Sequence, residues 1–190
     1  MTAPATFSVA LANETATAHL MADLALLVGP GDVITLSGDL GAGKTAAARA
    51  HDPLSRQRST RSKCQARPSR WRRATICRFR FVHADLYRIN DPSELEEIGL
   101  SPLPEGTLAL IEWPERAPDA LPEDRIDIAF SHRPALGSTA RAAEITGYGK
   151  AAAQVERLQQ LAAVSRRRRL PECARASACP ATPRRAPMRG

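Results

Sequence analysis

The sequence predicts an α/β protein built in three layers, with a central mixed sheet between helices, and three observations lead there. Apolar runs of strand length at residues 32–37 and 107–111 alternate with stretches of helical period. A glycine-rich turn at residues 38–44 joins the first of those runs directly to a helix. The 190 residues suit one domain with a core of ordinary size.

Taken in order, residues 7–11 form a short strand candidate. Asn13 stands where a helix cap would, and Leu20, Leu24, Leu27 and Val28 follow at i, i+4, i+7 and i+8, one face of a helix. Gly29, Pro30 and Gly31 end it. Residues 32–37 read as a buried strand, and a second helix begins near Thr45. Residues 51–80 show neither period and are rich in Arg, Ser and Pro, which predicts a loop without regular structure. Order resumes at Phe81-Val-His-Ala-Asp-Leu-Tyr-Arg88, a strand running into a loop. Asp91 caps a short helix over residues 92–98, with Pro92 at its first position, Glu94 in its first turn and Gly99 past its end. Residues 107–111 form a strand that ends in Glu112, residues 125–130 and 141–146 are further strands, and residues 154–161 are weakly helical. The domain expected from this pattern covers residues 1–150. Residues 151–190, with the low-complexity run Arg166 to Arg169, are expected to be an irregular tail or a truncated second domain.

The net charge of +7 and pI near 9.9 suggest a polyanionic partner until the charge is located. Residues 51–80 carry +9 and residues 164–190 carry +7, which leaves −9 on the other 133 residues. The basicity is therefore local rather than a nucleic-acid-binding face. All four cysteines, Cys64, Cys77, Cys173 and Cys179, lie in the same two stretches, and no pair has the Cys-x-x-Cys spacing of a zinc or redox site. No run of about 18 apolar residues and no secretory leader is present, so a cytoplasmic protein without a membrane partner is the expectation.

Chemistry concentrates in Gly38-Asp-Leu-Gly-Ala-Gly-Lys-Thr45, which fits Gly-x-x-x-x-Gly-Lys-[Ser/Thr] and stands between a strand and a helix, as a phosphate-binding P-loop must. The fold class is thereby a P-loop NTPase fold. Gly38, Gly41 and Gly43 let the backbone turn tightly and aim N–H groups at an anion, beside the positive end of a helix. Lys44 can reach the β- and γ-phosphates of a nucleotide such as ATP, and the Thr45 hydroxyl can join the shell of Mg²⁺. Asp39, Ala42 and Ala46 complete the expected nucleotide-binding stretch. The metal site needs an acidic partner, and Glu112 is the first candidate because it ends an apolar strand at the sheet edge where the phosphates lie. Asp85 is the other candidate. His83 and Asp85 alternate onto one face, so a structural hydrogen-bonded couple is the competing reading of that pair.

Four blocks, Leu36-Ser-Gly-Asp-Leu-Gly-Ala-Gly-Lys-Thr45, His83-Ala-Asp-Leu-Tyr-Arg88, Glu94-Leu-Glu-Glu-Ile-Gly99 and Ile111-Glu-Trp-Pro-Glu-Arg116, give the chain its likeness to a family. In content, order and spacing it resembles the TsaE family, small P-loop ATPases that support threonylcarbamoylation of adenosine in tRNA. The resemblance covers about residues 5–50 and 81–147. It implies that residues 41–45 bind the triphosphate of ATP, that Thr45 and Glu112 hold Mg²⁺, and that Asp85 positions the attacking water or the metal shell. Lys44, Asp85 and Glu112 would then be the catalytic set. It further implies that Glu14, Trp113 and Arg141 lie near the nucleotide. Its implied partners are TsaB- and TsaD-type subunits of the modification complex, with tRNA met indirectly.

The chain departs from the family between residues 51 and 80. Family members carry a Ser-Pro-Thr-Phe-type switch there, whose threonine faces the γ-phosphate, and this sequence has none, although the separation of Lys44 from His83 is retained. Compensating frameshifts would keep that length while replacing its content. The composition changes in the same way after about residue 162, beyond a segment at residues 147–161 that resembles the junction to a second domain in some relatives. Two other functions remain open at this level: a small-molecule or nucleotide kinase on the same loop, and an inactive interaction module.

Overall fold

The computed structural model describes residues 3–51, 73–76, 80–89, 94–97, 100 and 102–169. Seven strands form one sheet: β1 (Ala5–Leu11), β2 (Val33–Ser37), β3 (Arg73–Ile76), β4 (Arg80–Asp85), β5 (Thr107–Glu112), β6 (Arg125–His132) and β7 (Arg141–Tyr148). Their spatial order is β1-β7-β6-β2-β5-β4-β3. β4, β5, β2 and β6 run parallel. β7 is antiparallel to both β6 and β1, and β3 is antiparallel to β4, so the sheet is mixed as expected.

The helices are α1 (Glu14–Leu24), α2 (Lys44–His51), α3 (Glu94–Glu97) and α4 (Ala152–Arg169). Asn13 caps α1 by accepting the Ala16 N–H at 3.0 Å, as its side chain and position dictate. Layering follows from side-chain alternation along the central strands. Ile34, Leu36, Leu108 and Leu110 face one core with Leu20, Met21, Leu24 and Ala47 of α1 and α2 and Val155 and Leu158 of α4. Val33, Val82, Ala109 and Ile111 face a second core with Leu86, Leu95 of α3, Leu100 and Ala117. Being covered on both faces, β2 and β5 need continuous apolar runs, which is why they are the strands most legible in sequence.

Two expectations are corrected. Residues 51–80 are not wholly irregular: His51 closes α2 with its side chain only 2 % exposed, and Arg73–Ile76 adds to the sheet beside β4. β3 sits at the sheet edge and is held there by backbone pairing, which needs no apolar alternation. The intervening residues 52–72, where the missing switch would lie, fall outside the described residues, as do all four cysteines. The boundary at residue 150 is also not a structural break. α4 packs on β1 and β7, burying Ala152, Val155 and Leu158 along one face. Gly147 marks the closest approach, since a Cβ there would lie 2.6 Å from the Ala151 carbonyl oxygen and 2.7 Å from Val155 Cγ2. The reading of residues 170–190 as an irregular tail lies outside the described residues, and so do Asp91, Pro92 and Gly99 at the ends of α3.

Candidate functional site

The carboxyl ends of β2, β4 and β5 lie side by side, because all three run parallel and in adjacent register. β2 leaves the sheet through the glycine loop into α2. Gly38, Gly41 and Gly43 take φ values of +124°, +79° and +107°, a region that L side chains rarely adopt, so glycine is required at each. Gly38 is doubly constrained: a Cβ there would lie 2.2 Å from the carbonyl oxygen of Phe130 on β6. The loop closes on itself through the Ala42 N–H, which donates to the Asp39 carbonyl at 3.0 Å.

Lys44 begins α2 and is only 5 % exposed. Its ammonium turns back over the loop, donating to the carbonyl oxygens of Gly38 and, at 3.0 Å, of Asp39. The same ammonium lies 3.6 Å from the centroid of the Trp113 ring. Burial lowers its pKa below the ordinary lysine value of 10.5, and the carboxylates of Glu112, Glu115, Asp39 and Asp85 oppose that shift without cancelling it.

Thr45 follows in the first turn of α2, and its hydroxyl donates to Glu112 Oε2 at 2.9 Å. Glu112 ends β5 and is 1 % exposed. Its other oxygen, Oε1, is 2.9 Å from His83 Nε2. This corrects the His83–Asp85 couple considered from the sequence. His83 and Asp85 do share a strand face, but His83 turns to Glu112, while the Asp85 carboxylate accepts the Tyr87 N–H at 3.0 Å and stays exposed. Asp85 still pairs in register with Glu112, which keeps its side chain at the same edge.

Trp113 is the one non-glycine residue with positive φ among the described residues, at 60°. Its N–H donates to the Leu36 carbonyl at 3.1 Å, which carries the β2–β5 ladder one residue past Glu112, and its ring lies over the Lys44 ammonium. Tyr87 lies against Trp113 at 5.0 Å between ring centroids, and the Arg116 guanidinium sits 5.8 Å from the Tyr87 ring. Sequence reasoning missed Tyr87 and Arg116, although both stand in the quoted blocks.

Arg141 reaches the loop from β7, donating to the Gly41 carbonyl at 3.3 Å. Glu14 is exposed at the start of α1, and its side chain makes no hydrogen bond or ion pair among the described residues. Ala42 is buried and Ala46 half-buried, so only their backbone could meet a ligand. Asp39 is exposed and meets Lys44 through its carbonyl oxygen.

Among the described residues no group of three or more His, Cys, Asp or Glu could cage a metal ion. A hydroxyl and a buried carboxylate oxygen at 2.9 Å instead make a hard, partial donor set, which suits a magnesium ion that takes its remaining ligands from water and phosphate.

Residues 11–141 match the model of a family described as "Threonylcarbamoyl adenosine biosynthesis protein TsaE". A protein of Rickettsia bellii named tRNA threonylcarbamoyladenosine biosynthesis protein TsaE is 31% identical over 118 residues, 62% of this chain and 81% of that protein. One of the same name from Rickettsia felis is 36% identical over 107 residues, 55% of this chain and 61% of its own length. In three dimensions the chain is similar to the crystal structure of Bacillus subtilis YdiB, with a TM-score of 0.63 and 24% identity, covering 84% of this chain and 98% of that one, and so shares its fold.

Proposed function

The chain belongs to the TsaE family of threonylcarbamoyl adenosine biosynthesis proteins, and from that premise we propose that it binds and hydrolyses Mg²⁺·ATP as a component of the machinery that makes N6-threonylcarbamoyladenosine in tRNA. The observation that carries the reading is the 2.9 Å hydrogen bond from Thr45 to Glu112, which joins the end of the glycine loop to a buried carboxylate 67 positions away.

Transfer of a phosphoryl group to water asks the protein for positioning and charge neutralisation more than for covalent help. The loop backbone from Gly41 to Thr45 would cradle the phosphates, and the Lys44 ammonium would leave its loop carbonyls for the β- and γ-oxygens. Thr45 and Glu112 would hold Mg²⁺, which neutralises phosphate charge when bound. Asp85 is exposed beside Glu112 and would orient the attacking water. Arg141 and Trp113 flank the loop, and their contacts to Gly41 and Lys44 support a place near the nucleotide. Glu14 has only its place at the start of α1 in favour of that role. Partners of the TsaB and TsaD type, contact with tRNA through them, and a cytoplasmic location are part of the same proposal. No helix among the described residues is long and apolar enough to cross a membrane. The altered content of residues 51–80 is proposed to be a reading-frame lesion, and an absent switch motif in the other two frames of the coding DNA would dismiss it.

Calorimetric titration of the purified protein with Mg²⁺·ATP, beside a Lys44→Ala variant, tests the central claim. Binding by the first and its loss in the second are expected, with slow release of phosphate because the switch segment is absent. A folded protein that takes up no nucleotide at millimolar concentration overturns the reading.

A further inference from the structure

Both oxygens of Glu112 are spoken for, and by residues of different elements. Oε2 accepts from Thr45 on α2, whereas Oε1 meets Nε2 of His83 on β4, each at 2.9 Å. Glu112 is essentially inaccessible, so a carboxylate oxygen there without a donor would be costly. Neighbouring groups do not offer a substitute. The Lys44 ammonium is engaged by Gly38, Asp39 and the Trp113 ring, and Asp85 brings a second carboxylate rather than a donor. His83 is thus the one donor to Oε1 among the described residues.

We propose that His83 is a positioning residue for the metal site: by holding Oε1 of Glu112 it fixes the rotation of that carboxylate and presents Oε2 to Thr45 and to Mg²⁺. The inference rests on the function proposed above. The role needs only an N–H at Nε2, which the imidazolium and one neutral tautomer both provide, so it does not depend on the charge of the ring. Without that N–H the plane of the carboxylate is free to rotate away from the Thr45 hydroxyl, which leaves the metal with a less well-placed ligand. Outer partners that orient a metal ligand in this way commonly change metal affinity by roughly 10–100-fold.

The test compares the full-length protein with His83→Ala and with His83→Gln, whose side-chain amide can put an N–H near the place of Nε2. ADP affinity is measured by calorimetry with Mg²⁺ and with chelator, and Mn²⁺ bound to the protein–ADP complex is counted by electron paramagnetic resonance. Metal-free ADP affinity is expected to be the same in all three, because the loop backbone and Lys44 are untouched. The gain in affinity on adding metal is expected to fall roughly tenfold or more in His83→Ala and to return in His83→Gln. If His83→Ala does not fold, His83→Asn, whose amide falls short of Oε1, is judged by the same ratio. A full metal-dependent gain in the variant lacking the donor overturns the positioning role and leaves the functional reading standing. Wild-type protein that binds no ADP under either condition overturns both.

Discussion

The Lys44 ammonium rests 3.6 Å from the centre of the Trp113 ring, on a tryptophan whose own backbone is left-handed. The contact joins the first residue of α2 to the first residue after β5, and a lysine drawn to a phosphate would give it up. Cation–π attraction of this kind is worth about 0.5–2 kcal/mol, small beside what a polyphosphate offers.

Nucleotide binding is therefore expected to draw the ammonium off the ring and to change the emission of Trp113. The chain has one other tryptophan, Trp71, so the measurement uses a Trp71→Phe background. Titration with Mg²⁺·ATP should change the fluorescence. Unchanged emission at a nucleotide concentration that calorimetry shows to be saturating would show that the ammonium stays on the ring.

Protonation of Lys44 sets a second expectation. Burial lowers its pKa from 10.5, so between the lowered value and 10.5 the unfolded chain holds more protons at this position than the folded one. Through that alkaline window the contribution of Lys44 to stability rises with pH, and it is least favourable below it. Binding runs the other way, because phosphate needs the charged form and restores the proton. Calorimetry in alkaline buffers of different ionisation enthalpy should detect proton uptake on ATP binding, and a binding enthalpy independent of the buffer would show that the lysine is already fully protonated in the free protein.

Two loop glycines should respond differently to the same substitution. Gly38→Ala meets the Phe130 carbonyl as well as an unfavourable φ, and should lower stability by about 2–5 kcal/mol. Gly41→Ala meets nothing within 4 Å and suffers only the backbone cost of about 1–2 kcal/mol. Thermal unfolding of the two variants would show equal losses if the strand contact were unimportant.

The packing of α4 is open to direct measurement. Leu158 is fully buried in the core shared with α1 and α2, and Leu158→Ala should cost about 2–5 kcal/mol in urea unfolding. Gln159, exposed on the same helix, should tolerate alanine with little change. A near-zero loss at Leu158 would show that the helix is not part of the cooperative unit.

What the sequence made legible, and what it hid, separates by the range of the signal. Residues 33–37 and 107–112 announced themselves because a strand covered on both faces must be apolar throughout, and the glycine loop because three positive φ values demand glycine. The pairing of Glu112 with Thr45 was foreseeable from what a P-loop requires. The partner of Oε1 was not, since the strand register that brings His83 to a residue 29 positions away leaves no local trace. α4 was faint because Ala152 and Val155 supply much of its buried face, and small side chains contrast weakly with their polar neighbours. β3 was missed because a four-residue edge strand pairs with β4 through main-chain groups, which leave no pattern in the sequence.

One consequence concerns the order in which the molecule comes together. Glu112 gathers its two partners across 67 and 29 positions, so the carboxylate is coordinated only after β4, β5 and α2 have all found one another. Closing such long spans grows harder only with the logarithm of their length, by about 0.6 kcal/mol for each doubling. Competence for ligand should consequently appear late in refolding, behind hydrophobic collapse, and should tolerate a rewritten connection between α2 and β3 far better than a shifted strand.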